Sequence, residues 1–305
     1  MEESDESPRP FLSFSAGMRA LLVIALSFAF ILILGKFAQT NAFDWLTPSE
    51  EKGYLPKDLW LVNILSSVLI FAVPALVYAN VFPMERFGYF RLNKSVPWLS
   101  VVMGCLVMIL IFPIYNEIVS AIQHSVTNPE LIDYIEENNK IDAWGYQMPG
   151  IGSLLFCLFA NALIPAICEE LFFRASLQQL LMERTRTFLF WSPFDTPAFI
   201  RHRSIITTAV VFTLFHQDIF NAPVIFVSGL MLGYVFYWTG SLRITVMMHF
   251  VFNASSLLIE YLAQHSAAVR AWEPGMATSI PCTILAAALF FLLWRRSKAR
   301  GFPIY

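Results

Sequence analysis

Charged residues are scarce in this chain of 305 residues: Asp, Glu, Lys and Arg make up 14% of it, against about 25% in an ordinary soluble domain. That scarcity excludes a soluble globular fold. The formal net charge is −2 and no basic stripe runs along the chain, which excludes a nucleic-acid partner. Cysteine is equally sparse. Cys105, Cys157, Cys168 and Cys282 all sit in apolar stretches with no CxxC pair, so a disulfide framework is not expected and the four read as small buried hydrophobes. The opening MEESDESPRP lacks the basic stretch of a secretory signal. The first apolar run also lacks a small-residue cleavage end, so it reads as a retained anchor. No internal repeat points to a transporter built by symmetry. HExxH, GxGD and the rhomboid-like GxSG pattern are all missing, which removes the local signatures of zincin-like, aspartyl and serine intramembrane proteases.

What the chain has is apolar length, with 57% of its residues hydrophobic. A membrane-crossing helix needs about 20 such residues. Eight stretches qualify, near 17–38, 58–82, 97–122, 150–182, 204–220, 222–239, 242–264 and 277–294. Each must be helical, because the bilayer offers no partner for an unpaired backbone group. The expected fold is therefore an all-α, polytopic membrane bundle of about eight transmembrane helices. The fourth stretch is long, and its turns after Arg174 are expected to leave the membrane. The seventh turns amphipathic at its far end, at Glu260 and Gln264. All eight tryptophans fall at or near span edges, where amphipathic rings prefer the headgroup layer.

Basic residues set the orientation. With the N-terminus inside, Arg9, Arg19, Arg86, Arg91, Lys94, Arg184, Arg186, Arg201, Arg203, Arg243, Arg295, Arg296, Lys298 and Arg300 lie on the cytoplasmic side. Only Lys36, Lys52, Lys57, Lys140 and Arg270 lie outside. Fourteen against five places both termini in the cytoplasm. The acidic loop 123–149 is then external. The chain divides into 1–149, with three spans and that loop; 150–264, with four spans that hold the polar residues; and 265–305, with the last span and a basic tail.

Polar side chains inside a span are costly, so each suggests a function. They gather on three spans. The fourth carries Pro165, Glu169, Glu170 and Arg174; the fifth, His216 and Asp218; the seventh, His249 and Asn253. His124, His202 and His265 fall in expected loops and read as solvated. Adjacent Glu169 and Glu170 point about 100° apart on a helix. Glu170 shares a face with Arg174 one turn on and can pair with it. Glu169 is left to face the interior, helped by a bend at Pro165. His249 and Asn253 share a face, where imidazole and amide could donate two hydrogen bonds to a developing oxyanion. His216 beside a carboxylate could hold a water. Counted from the expected helix ends, all four fall in one layer, and the expectation is one cavity in the cytoplasmic half of the bundle.

EELFFR at 169–174, FTLFH at 212–216 and HFVFN at 249–253 resemble, in order, the EExxxR, FxxxH and HxxxN motifs of the CPBP (Abi) family of intramembrane proteases. The eukaryotic branch of that family is the type II CAAX prenyl protease. The resemblance covers roughly 150–260. It implies an eight-helix bundle in which Glu169 and His216 activate water, His249 and Asn253 stabilise the oxyanion, and Glu170 with Arg174 support the site. The activity it implies is peptide-bond hydrolysis in a membrane-associated or CAAX-type substrate, with the lipid bilayer as the setting. No cofactor is expected, although Glu169, His216 and His249 could be drawn as zinc ligands instead. A proton-coupled transporter or a non-catalytic membrane scaffold would also place Glu and His in a bundle, and these stay open as alternatives.

Overall fold

The computed structural model describes residues 16–38, 56–81, 90–182, 196–272 and 275–301. Arg9, Trp45, Lys52, Arg86, Arg184, Arg186 and Trp191 lie outside these. Every regular element among the described residues is helical. Among the described residues eight helices are long and apolar enough to cross a membrane: Met18–Lys36, Leu59–Asn80, Trp98–His124, Ile151–Met182, Pro197–His216, Ala222–Thr239, Leu242–His265 and Met276–Ala299. The protein is read here as a multi-pass membrane protein with these as its first to eighth spans.

The largest departure from the expected boundaries is in the fifth span. Its helix begins at Pro197, capped by the Thr196 side chain on the Phe199 amide, and not near 204. Arg201, His202 and Arg203 had the look of loop residues, yet all are helical. Aromatic neighbours make them tolerable at a bundle end. Arg201 lies 5.4 Å from the Tyr237 ring centroid, Arg203 lies 5.7 Å from that of Phe199, and His202 Nδ1 is 2.8 Å from the Tyr234 hydroxyl. Such residues place an apolar body in the bilayer and a polar tip at its edge. The same span stops at His216, where Gln217 takes a left-handed conformation (φ 52°). Asp218 is thus in the following turn and not in a span. The helix places His216 roughly 28 Å from its start at 1.5 Å per residue, much deeper than the expected boundaries implied. His124 and His265 close the third and seventh spans and are not loop residues.

The acidic stretch is also not a loop. Pro129–Gly145 forms a helix with Glu130 in its first turn. Its end is pinned by Trp60, whose Nε1–H donates to the Gly145 carbonyl at 2.8 Å. Trp60 is therefore buried in protein and does not mark a headgroup layer.

The fourth span crosses the centre. Pro165 has no N–H to give, and the turn before it, Phe159–Leu163, widens to a π-helix in which the Ile164 amide bonds the Phe159 carbonyl. The local signature of the proline is this wide turn, which changes the rotational register of the helix beyond it. A second π turn, Phe173–Gln178, comes after the acidic pair. Its residues from Arg174 to Gln178 are completely buried by neighbouring spans, so they do not emerge at a free membrane edge.

The fifth and sixth spans pack closely through the small residues of GLMLG. A Cβ on Gly229 would stand 3.2 Å from Phe212 Cδ1 and 3.3 Å from Ala209 Cβ; one on Gly233 would stand 2.9 Å from Ile205 Cγ2 and 3.1 Å from Gln178 Oε1. Close small-residue contact is a standard way for helices to associate where lipid supplies no hydrophobic drive. Gly233→Val forces this seam apart. The expected loss is about 1–3 kcal/mol, read as a lower thermal midpoint of the detergent-solubilised protein; an unchanged midpoint contradicts the packing described.

The inside–outside assignment has its own test. In a background without the native cysteines, a cysteine at Asn139 on the acidic helix is expected to react with an impermeant maleimide in intact cells, and one at Lys298 only after lysis. The opposite pattern reverses the orientation.

Candidate active site

Glu169, Glu170 and Arg174 come from the fourth span, His216 from the end of the fifth, and His249 from the seventh, which packs against the fourth. Glu170 and Arg174 are fully buried, and Glu169 is only 8% exposed. Arg174 Nε stands 3.3 Å from Glu170 Oε2, the pairing expected from their i, i+4 spacing. Arg174 also donates to the Gly229 carbonyl at 3.4 Å, a contact that the missing side chain at Gly229 allows. Four residues on, Gln178 Nε2 donates to the Gly233 carbonyl at 2.9 Å.

Glu170 has a second partner that spacing could not reveal. His249 Nδ1 lies 3.1 Å from its Oε1. Thr245, one turn before His249 and fully buried, donates its hydroxyl to the Leu242 carbonyl at 3.0 Å. An ionised carboxylate only accepts, so His249 Nδ1–H is the donor. This contact fixes the imidazole ring and turns Nε2 toward the other glutamate, 3.9 Å from Glu169 Oε2.

His216 approaches the same atom from the other side. Its Nδ1–H donates to the Phe212 carbonyl at 2.7 Å, leaving Nε2 with its lone pair 3.8 Å from Glu169 Oε2. Glu169 Oε2 itself is buried without a hydrogen-bond partner. Phe212 forms a wall common to the three polar groups. Its ring centroid is 4.5 Å from that of His216, 5.8 Å from that of His249, and 4.8 Å from the Arg174 guanidinium carbon. Phe172, Phe173, Phe71 and Phe215 extend this wall into an aromatic cluster.

Asn253 lines a cavity of about 560 Å³ together with Glu169 and His216. The cavity extends past Asn63, Asn161 and Glu260 to Tyr146, toward the end of the bundle that carries the acidic helix. Asp218 does not line this cavity but lines a neighbouring one of about 300 Å³ with His216, His249 and Asn253. It accepts from the Phe220 and Asn221 amides and from Asn221 Nδ2, holding the turn after His216 in place.

The metal-ligating alternative can be checked against the same distances. Ligand atoms in a tetrahedral zinc shell of about 2.0–2.1 Å radius lie about 3.4 Å apart. The two Nε2 atoms stand 3.8 and 3.9 Å from Glu169 Oε2. Among the described residues no group of three or more His, Cys, Asp or Glu side chains is arranged to hold a metal ion.

Residues 151–255 match the family model described as type II CAAX prenyl endopeptidase Rce1-like. The match over this segment supports the CPBP/CAAX protease family. The match contains all three motifs, with Glu169, Glu170, Arg174, His216, His249 and Asn253. It agrees with the resemblance carried by EELFFR, FTLFH and HFVFN. No curated protein and no solved structure matches the chain.

Proposed function

We propose that this protein is an intramembrane endopeptidase that hydrolyses peptide bonds of membrane-associated substrates, CAAX-type C-termini among them, by direct attack of water. The observation that carries the reading is Glu169 Oε2. It is buried, has no hydrogen-bond partner, and faces two imidazole Nε2 atoms at 3.8 and 3.9 Å. Those gaps are too wide for a direct hydrogen bond and suit one water bonded to both Glu169 and His216.

In the proposed reaction Glu169 takes a proton from this water while His216 Nε2 accepts the second hydrogen and orients the lone pair. The water oxygen adds to the scissile carbonyl. Asn253 Nδ2–H and His249 Nε2–H donate to the oxyanion. Donation from both ring nitrogens, to Glu170 and to the oxyanion, requires the doubly protonated ring. Glu169 then gives its proton to the leaving nitrogen as the C–N bond breaks, yielding a new carboxyl and a new amine. Glu170, held by Arg174, keeps the His249 ring in position. No acyl-enzyme forms.

The proposed site works without a metal ion. Purified protein is expected to keep its full rate after prolonged chelation and to carry well below one equivalent of zinc by elemental analysis. Loss of activity to a chelator, with recovery on adding stoichiometric zinc, overturns this and makes His216 and His249 ligands.

A further inference from the structure

We infer that Glu260 is a specificity-determining residue, which selects substrates bearing a basic side chain about three residues from the scissile carbonyl. The inference rests on the protease reading above and names the substrate class of that site.

His249, Asn253, Ser256 and Glu260 follow one another along one face of the seventh span, and the last three line the 560 Å³ cavity that contains Glu169. From Asn253 to Glu260 is seven residues, or about 10 Å along the axis. An extended peptide covers about 3.3 Å per residue. A chain with its reacting carbonyl at Asn253 therefore reaches the level of Glu260 about three residues away.

The chemistry of this arm is one-sided. Its charged lining groups are two carboxylates, Glu169 and Glu260, and no Lys or Arg among the described residues lines it. Arg174, the nearest guanidinium in the motif, is fully buried and engaged by Glu170. Glu260 Oε1 accepts from Gln264 Nε2 at 3.0 Å, and Gln264 is itself anchored by the Tyr146 carbonyl and the Met148 amide. The carboxylate is thus held in place by a neutral partner and keeps its charge uncompensated. The remaining polar lining is amide and hydroxyl: Asn116, Ser256, and the Asn63–Asn161 pair, joined at 2.8 Å across the second and fourth spans. Such groups bond a peptide backbone without regard to sequence. A cavity with low-dielectric walls focuses the field of its charges. This one attracts an ammonium or guanidinium and repels a chain-terminal carboxylate, so the arm accepts an internal stretch of chain.

The test is cleavage of a mixed peptide library by the full-length protein in liposomes, with cut sites read by mass spectrometry. The wild-type protein is expected to enrich Lys or Arg at one position about three residues from the cut. Glu260→Gln is expected to reduce that preference about tenfold or more, the scale of a lost charge-assisted bond, and Glu260→Lys to replace it with a preference for Asp or Glu. Wild-type cleavage with no basic enrichment overturns the inference while leaving the protease reading intact, and it does so without any variant having to fold. Enrichment that persists unchanged in a folded Glu260→Gln protein assigns the selection elsewhere and also overturns it. A library left uncut by the wild type removes the protease reading itself and this inference with it.

Discussion

Glu169→Gln is expected to leave a folded, membrane-inserted protein whose cleavage rate falls by at least about 10²–10⁴, the range lost with a positioned general base. The reasoning is local. The side chain keeps its length, and Glu169 Oε2 makes no hydrogen bond that the amide would break. The nearest partners are the two imidazoles at 3.8 and 3.9 Å, neither in direct contact. What disappears is the ability to take a proton from water. Rate and thermal midpoint measured on one preparation check this. A variant that retains activity, or that unfolds as Glu170→Gln does, reverses the assigned roles of the two neighbours.

Glu170→Gln is expected to lose stability as well as activity. Glu170 is fully buried between Arg174 at 3.3 Å and His249 at 3.1 Å. An amide cannot balance the guanidinium, and removing one member of a buried pair costs about 3–5 kcal/mol because the other is left uncompensated. The double variant Glu170→Gln with Arg174→Met removes both charges. Replacing a whole buried pair by neutral groups is often close to neutral for stability, so the double variant is expected to recover most of the thermal midpoint. Activity is not expected to return, because the carboxylate that aligns His249 is gone. Recovery of activity with stability would show that the pair serves folding alone.

The spans were legible because long apolar runs have one outcome in a bilayer, and all eight helices lie close to the stretches read from sequence. The exceptions share a cause. Arg201, His202 and Arg203 read as loop because their charge was counted without the tyrosine and phenylalanine rings that receive them. The acidic helix Pro129–Gly145 was missed because it has no long apolar run, and its docking depends on Trp60, far away in the chain. The site divides in the same way. Glu170 with Arg174 was readable from one-turn spacing. The bond from His249 to Glu170 joins residues 79 apart and exists only once the fourth and seventh spans pack. Asn63 and Asn161 carried no signal beyond being polar within apolar runs. Their pairing across two spans emerges from the fold.

The most direct test of the central claim, that this protein cuts membrane-associated peptides with Glu169, is a comparison of new chain ends in membranes from cells producing either the wild type or Glu169→Gln at equal levels. The account predicts a reproducible set of termini present with the wild type and absent with Glu169→Gln and with His216→Ala. Identical termini in all three membranes would contradict it.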